Sequence, residues 1–305
     1  MMFPGARQHF FSGLRPLASD LCFPEVVLPS FAKINLTLDV GALRPDGYHE
    51  ISSVLQTISL ADTLSLTGIP AGITVSCNTP GVPDGQDNLA YRALAEIAHH
   101  LPGGISVEIE KRIPQGAGLG GGSSNAAAAL KGADQLYAMG LSEDELMAAA
   151  AVAGSDVPFF ILGGTVLAAG RGERVRRVPP LPDFWVVLVK PPFEVSTGKI
   201  YGLYQMKKTE PRTPRLLHAL EKGDGEGVIR ALGNDLEEVT TGLYQEIASI
   251  KQRLLQLGAL GAMMAGSGPT VFGLFNEKED AQQAAGKLRE DNAGLDLFIC
   301  KTVSA

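Results

Sequence analysis

Between residues 115 and 125 the chain reads Gln-Gly-Ala-Gly-Leu-Gly-Gly-Gly-Ser-Ser-Asn, and five glycines in eleven residues restrict what the segments on either side can be. Upstream, Ile105, Val107 and Ile109 alternate with Ser106, Glu108 and Glu110, the pattern of a strand with one polar face. Downstream, an alanine-rich stretch from about Ser123 to Met139 reads as a helix. Glycines in such a junction let the backbone approach an anion, and consecutive amide N–H groups can point at its oxygens. The helix adds its N-terminal partial charge, and Ser123 or Ser124 can offer a hydroxyl to a phosphate or a magnesium ion. The plainer alternative is a flexible connector onto a close-packed helix, but so much glycine directly before a helix favours an anion cradle.

Two known cradles come near to this pattern. The Walker pattern nearly fits from Gly116, yet Gly122 occupies its lysine position. Gly116, Gly118 and Gly121 match the dinucleotide pattern G-x-G-x-x-G formally. The preceding strand has a polar face, however, and Lys111-Arg112-Ile113-Pro114 intervene, whereas a central parallel strand is apolar on both sides. The context rejects it.

Elsewhere Ile34, Leu36, Leu38 and Val40 alternate with Lys33, Asn35, Thr37 and Asp39, which predicts a half-buried strand from Phe31 with Lys33 and Asn35 on its polar face. Further strands are expected at Ile51–Ile58, Asp62–Leu66, Ile73–Cys77, Phe184–Val189 and Leu297–Val303, with strand, turn and strand over Ala262–Phe275. Asp87-Asn88 reads as a helix start, Ser142 with Glu145 as a capping box, and Glu277–Glu290 as a helix. Clustered strands with one polar face each indicate an α+β chain with mostly antiparallel sheets. Prolines crowd at Pro179–Pro182, so the expected division is an extension at 1–25, a domain at 26–180 and another at 181–305.

Lys plus Arg is 26 against 33 Asp plus Glu, a formal charge of −7, which argues against a general nucleic-acid binder. Three scattered cysteines, Cys22, Cys77 and Cys300, suggest neither a zinc site nor a disulfide framework, and no apolar run reaches the ~20 residues that span a bilayer. The expectation is a cytoplasmic protein without a membrane or nucleic-acid partner.

The segment Pro114–Ala127 resembles the phosphate loop of the GHMP kinase superfamily, and Ala265-Gly266-Ser267-Gly268-Pro269-Thr270 resembles that superfamily's C-terminal glycine motif. Ala32-Lys33-Ile34-Asn35-Leu36 and Arg44-Pro45-Asp46-Gly47-Tyr48-His49-Glu50 are similar to the branch that phosphorylates a cytidine-diphosphate-linked methylerythritol in isoprenoid synthesis. The likeness runs from about Ser30 to the end and departs at Phe31, where that branch carries proline. It implies a two-lobed fold, ATP as co-substrate with Mg2+, and ATP phosphates held by Pro114, Gly116, Gly118, Leu119, Gly120, Gly121, Gly122, Ser123 and Ser124.

It also assigns roles that the residues alone do not. Asp156, in Gly154-Ser155-Asp156-Val157-Pro158, reads locally as a helix cap, but the resemblance makes it the catalytic base. Lys33 reads as a solvated charge and becomes its cationic partner, with Asn35 fixing lysine or substrate. Tyr48 and His49 follow a Pro-Asp-Gly turn and read as a hairpin tip; the resemblance gives them, with Tyr201 and Thr197, to the cytidine. Asn88 falls near the ATP base, though a cap explains it equally well, and Gly266, Ser267 and Gly268 lie near the loop. No metal ligand stands out, and Arg171 and Arg174 read as a solvated loop. The rivals are a kinase of homoserine, mevalonate or a sugar, a dinucleotide-dependent oxidoreductase, and a nucleotide-binding module without turnover.

Overall fold

The alternation after Phe31 becomes two strands, β1 (Glu25–Asn35) and β2 (Thr37–Leu43), divided by a bend at Leu36. Both lie antiparallel along β3 (His49–Ile69), one 21-residue strand that takes in the two segments expected at 51–58 and 62–66. A register shift, where Phe31 faces Ala61 but Ala32 faces Ile58, bends the pair without breaking it. The structure, a computed structural model, describes residues 24–206 and 210–304. The extension expected at 1–25 lies outside the described residues except for its last two.

The first half continues with β4 (Ile73–Cys77), α1 (Leu89–Glu96), β5 (Gly104–Glu110), α2 (Gly121–Tyr137), α3 (Glu143–Ala153), α4 (Val157–Leu162), β6 (Thr165–Gly170) and β7 (Arg174–Arg177). The second holds β8 (Trp185–Lys190), α5 (Thr197–Leu203), α6 (Thr213–Lys222), α7 (Gly225–Ala231), β9 (Gly233–Asn234), α8 (Glu237–Leu243), α9 (Gln245–Gln256), β10 (Gly261–Met264), β11 (Val271–Phe275), α10 (Lys278–Asp291) and β12 (Asp296–Lys301). The capping box is formed: Ser142 Oγ accepts from the Glu145 amide, and the Glu145 carboxylate accepts from the Ser142 amide. The hairpin β6–β7 had no counterpart among the expected strands, because its glycines and its Arg-Val-Arg-Arg run give no apolar alternation.

The larger sheet runs β4-β5-β3-β2-β9, with β1 and β6 also paired to β3, and β7 to β6; the smaller runs β10-β11-β8-β12. Only β4–β5 and β2–β9 are parallel among the described strands, so the mostly antiparallel α+β architecture is as expected. One apolar cluster packs α1 to α4 on the larger sheet. A second joins Ile34, Val54 and Ile58 to Val186, Leu188 and Phe272 of the smaller sheet, and a third seats α9 and α10 on the other side of β8 through Val187 and Val189. β8 is thus buried on both faces, which is why its sequence is an unbroken apolar run.

Candidate active site

Lys33 and Asn35 share one face at the end of β1, as alternation requires, but that face is not half solvated: they are 5% and 4% exposed. Their cover comes from far along the chain. The Lys33 amide donates to the Leu119 carbonyl at 3.0 Å. Gly120 packs on the Lys33 stem and on Phe160, and Gly266 lies over the lysine head, where a Cβ would stand 3.5 Å from Nζ. Lys33 Nζ donates to Asn35 Oδ1 at 2.7 Å, and Asn35 Nδ2 donates to Ser53 Oγ at 3.0 Å, which fixes the amide's orientation. Burial holds the Lys33 ammonium below the ordinary lysine value of 10.5, while the nearby Asp156 carboxylate pulls the other way.

Asp156 stands at the N-cap position of α4, yet its side chain accepts no capping hydrogen bond. The carboxylate instead lines a cavity of about 530 Å³ together with Lys33, Asn35, Gly118, Gly120 and Gly266.

The glycine loop is shaped by backbone demands. Gly118 has φ +75°, and a Cβ on it would lie 2.3 Å from the Ala265 carbonyl oxygen and 3.2 Å from that of Gly268. Only glycine lets this loop dock against the Ala265–Thr270 turn. Gly118 and Gly120 line the cavity of Asp156 on one side and a second cavity, of about 420 Å³, on the other. That second cavity takes in Pro114, Gly116, Leu119, Gly121, Gly122 and Ser123. No side chain caps the start of α2, whose first residues Gly121, Gly122 and Ser123 line this second cavity.

Two residues expected on the ATP side, Ser124 for the phosphates and Asn88 near the base, have their polar atoms engaged by the fold. Ser124 is 3% exposed and lines neither cavity: its hydroxyl donates to the Phe31 carbonyl at 2.6 Å and accepts from Ser30 at 2.7 Å. Its position on the inward face of α2 turns it to β1, away from the loop. Asn88 does line the loop cavity, but Oδ1 caps the Ala90 amide at 2.9 Å and Nδ2 donates to the Pro83 carbonyl at 2.8 Å, so its plain reading as a cap holds.

Behind the loop lies a network with no local sequence signal. Lys111 forms an ion pair with Asp62, which is 0% exposed. Asp62 also accepts from the amides of Arg112 and Ile113, at 2.7 and 2.8 Å, and from Asn125 Nδ2 at 2.8 Å. It pins the entry of the loop and the first turns of α2 to β3.

The other end of the larger cavity is aromatic. Tyr48 is 53% exposed at its rim, while His49 and Tyr201 face each other with ring centroids 5.9 Å apart. His49 Nδ1 is 2.9 Å from the Gly41 carbonyl, which can only accept, so Nδ1 carries the proton and Nε2 is left for a ligand. Burial, and then the charge of Asp156, push the Tyr201 phenol above its ordinary value of 10. Thr197 Oγ1 is 2.8 Å from Ser267 Oγ, and the cap of α5 is Ser196, which leaves Thr197 inside the cavity. Gly268 is behind the wall, packed on Met264. Arg171, expected in solvent, lines the cavity as well.

Residues 88–164 match the GHMP kinases N terminal domain and residues 216–294 the GHMP kinases C terminal domain. Over 272 residues the chain is 45% identical to 4-diphosphocytidyl-2-C-methyl-D-erythritol kinase of Moorella thermoacetica, covering 87% of this chain and 95% of that one. It is similar, at 34% identity and a TM-score of 0.79, to a crystal structure of 4-(cytidine 5'-diphospho)-2C-methyl-D-erythritol kinase, over 92% of this chain and all of that one. A homoserine kinase structure from Cytophaga hutchinsonii has the same fold at 19% identity, with a TM-score of 0.72 over 97% of this chain and 98% of the other.

Proposed function

The chain belongs to the GHMP kinases, in the family of the 4-diphosphocytidyl-2-C-methyl-D-erythritol kinases, and from that premise we propose that it transfers the γ-phosphoryl group of ATP to the 2-hydroxyl of that cytidine-diphosphate alcohol. The observation that carries the reading is the loop wall: Gly118 and Gly120 face both cavities, so a triphosphate on one side meets an alcohol on the other beside Lys33 and Asp156. His49 and Tyr201, with Tyr48 at the rim, supply a reason for a nucleobase that a homoserine or mevalonate kinase would not need.

Asp156 accepts the proton of the substrate hydroxyl as its oxygen bonds to the γ-phosphorus. The bond from that phosphorus to the β-bridging oxygen breaks, and ADP leaves with the electron pair. Lys33, held by Asn35, stabilises the charge on the attacking oxygen. The amides of Gly121, Gly122 and Ser123 hold the phosphates at the start of α2. Val82, Pro83 and Leu89, backed by Asn88, give the adenine an apolar side. The described residues form no cluster of three acidic, histidine or cysteine side chains. Mg2+, when bound, would be held by Asp156 and the Ser123 hydroxyl, which line the two cavities on either side of the loop, and would neutralise charge on the triphosphate. The division at 26–180 and 181–305 stays part of this reading, each half holding one matched segment. A cytoplasmic location goes with small polar substrates, and no described helix is long and apolar enough to cross a membrane.

The test is ADP release from ATP and magnesium with the cytidine-diphosphate alcohol, and with homoserine, mevalonate and galactose in parallel. Turnover with the cytidine compound alone is expected. Turnover with another alcohol alone would keep the phosphate loop and discard the nucleobase pocket.

A further inference from the structure

The larger cavity has a cation that phosphoryl transfer, as described, does not use. Arg171 sits on the turn between β6 and β7, and its guanidinium lies 5.4 Å from the centroid of the Tyr48 ring. Its carboxylate neighbours are Glu173, 4.0 Å away at the outer limit of an ion pair, and Asp46, which accepts from the Tyr48 amide at 3.2 Å and pairs with Arg44. Neither takes up the donors of the guanidinium at hydrogen-bond distance.

The same turn reaches the reacting end. A Cβ on Gly172 would stand 3.4 Å from Asp156 Oδ1, so neighbouring residues touch the aromatic rim and the carboxylate. The turn is firmly held. The Arg171 amide donates to Glu173 at 2.8 Å, and the Gly170 amide to Glu50 at 3.1 Å. Gly170 and Gly172 have φ of +74° and +116°, which suit glycine alone. A nucleoside-diphosphate alcohol stretched from Tyr48 to Asp156 carries its diphosphate between those ends, alongside this turn. Lys33, the other cation in the wall, donates to Asn35 at the reacting end, within the field of Asp156.

We propose that Arg171 is the specificity residue for the diphosphate of the alcohol substrate, donating paired N–H groups to its oxygens while its flat face stays near Tyr48. Arginine suits that role because its fork of donors matches phosphate and its plane stacks on a ring. The proposal rests on the reading of this cavity as a cytidine-diphosphate site.

The experiment compares wild type with Arg171→Ala, Arg171→Gln and Arg171→Lys. It measures KM for the cytidine-diphosphate alcohol, KM for ATP, and calorimetric affinity for CDP and for cytidine with ADP and magnesium saturating. In the Ala and Gln variants the expected KM for the alcohol rises about tenfold to a hundredfold, the loss of a charge-assisted pair. KM for ATP stays put, Lys recovers part of the loss, and CDP binding falls far more than cytidine binding. Equal losses for CDP and cytidine would overturn the proposal and leave Arg171 as a support for Tyr48. So would unchanged KM in both neutral variants. A wild type that neither turns over the alcohol nor binds CDP would remove the functional reading itself, which a wild type active beside unaffected variants would not.

Discussion

Lys33 and Asp156 are two residues whose plain readings are defeated by what covers them. Alternation correctly put Lys33 on the polar face of β1, and nothing within twenty residues signals that Leu119, Gly120 and Gly266 close over it. Asp156 occupies a cap position without capping, whereas Asn88 and Ser124 spend their polar atoms on the fold. Side-chain type locates a candidate; only long-range contacts say whether its polar atoms are committed. Asp156→Asn is expected to lower kcat by ~10²–10⁴-fold, the range for losing a general base, with ATP affinity measured by calorimetry little changed. Near-normal turnover would remove Asp156 from that role. Lys33 makes a pH prediction. Its burial penalises the charged form, so the ammonium is lost at lower pH than in an ordinary lysine, and activity carried by the cation falls as pH rises through that lowered value. The alkaline limb of kcat/KM, which reports the free enzyme, should therefore lie below 10.5 and be absent from the residual activity of Lys33→Met. A limb at or above 10.5 would count against Lys33 as the titrating group.

At the scale of elements, the loop and α2 were legible because their signal is local: glycine density, then alanine. β4 and the capping box were legible for the same reason. The union of two expected strands into β3 was not, because its bulge is set by pairing with β1. The β6–β7 hairpin, which carries Arg171, was hidden by its glycines and charges. The loop offers a paired test. Gly118→Ala drives a Cβ into the Ala265 carbonyl at a left-handed φ, so it should cost more than the ~1–2 kcal/mol of that conformation alone. Gly122→Ala, already in α2, meets only Leu89 Cδ1 at 3.6 Å and should gain up to ~1 kcal/mol of helix propensity. Its methyl also enters the loop cavity. Thermal unfolding should separate them in opposite directions, while ATP binding weakens in both. Normal ATP binding by the Gly122→Ala variant would move the triphosphate away from the start of α2.

At the scale of the whole molecule, the two sheets must hold Gly266 of one over Lys33 of the other, and the sequence carried no sign of how. The connection runs through Asn234. Its strand β9 pairs parallel with β2, extending the larger sheet. Its Nδ2 donates to the Met264 and Gly266 carbonyls, at 3.0 and 2.7 Å, and its Oδ1 accepts from the Leu236 amide at 2.9 Å. One 7% exposed amide thereby ties the larger sheet to the glycine turn. Asn234→Ala leaves these groups without their partner, and each buried orphan costs ~1–3 kcal/mol. Asn234→Asp should be no better, since a carboxylate oxygen then faces two carbonyls where a donor stood. Because Gly266 would lose its tether over Lys33, kcat should fall in both variants although Asn234 touches neither cavity. Urea unfolding and steady-state kinetics together decide the matter. A loss of stability with kcat intact would mean that the loop contact at Gly118 alone holds the turn over the lysine; a joint loss would show that β9 sets the distance between the two halves of the site.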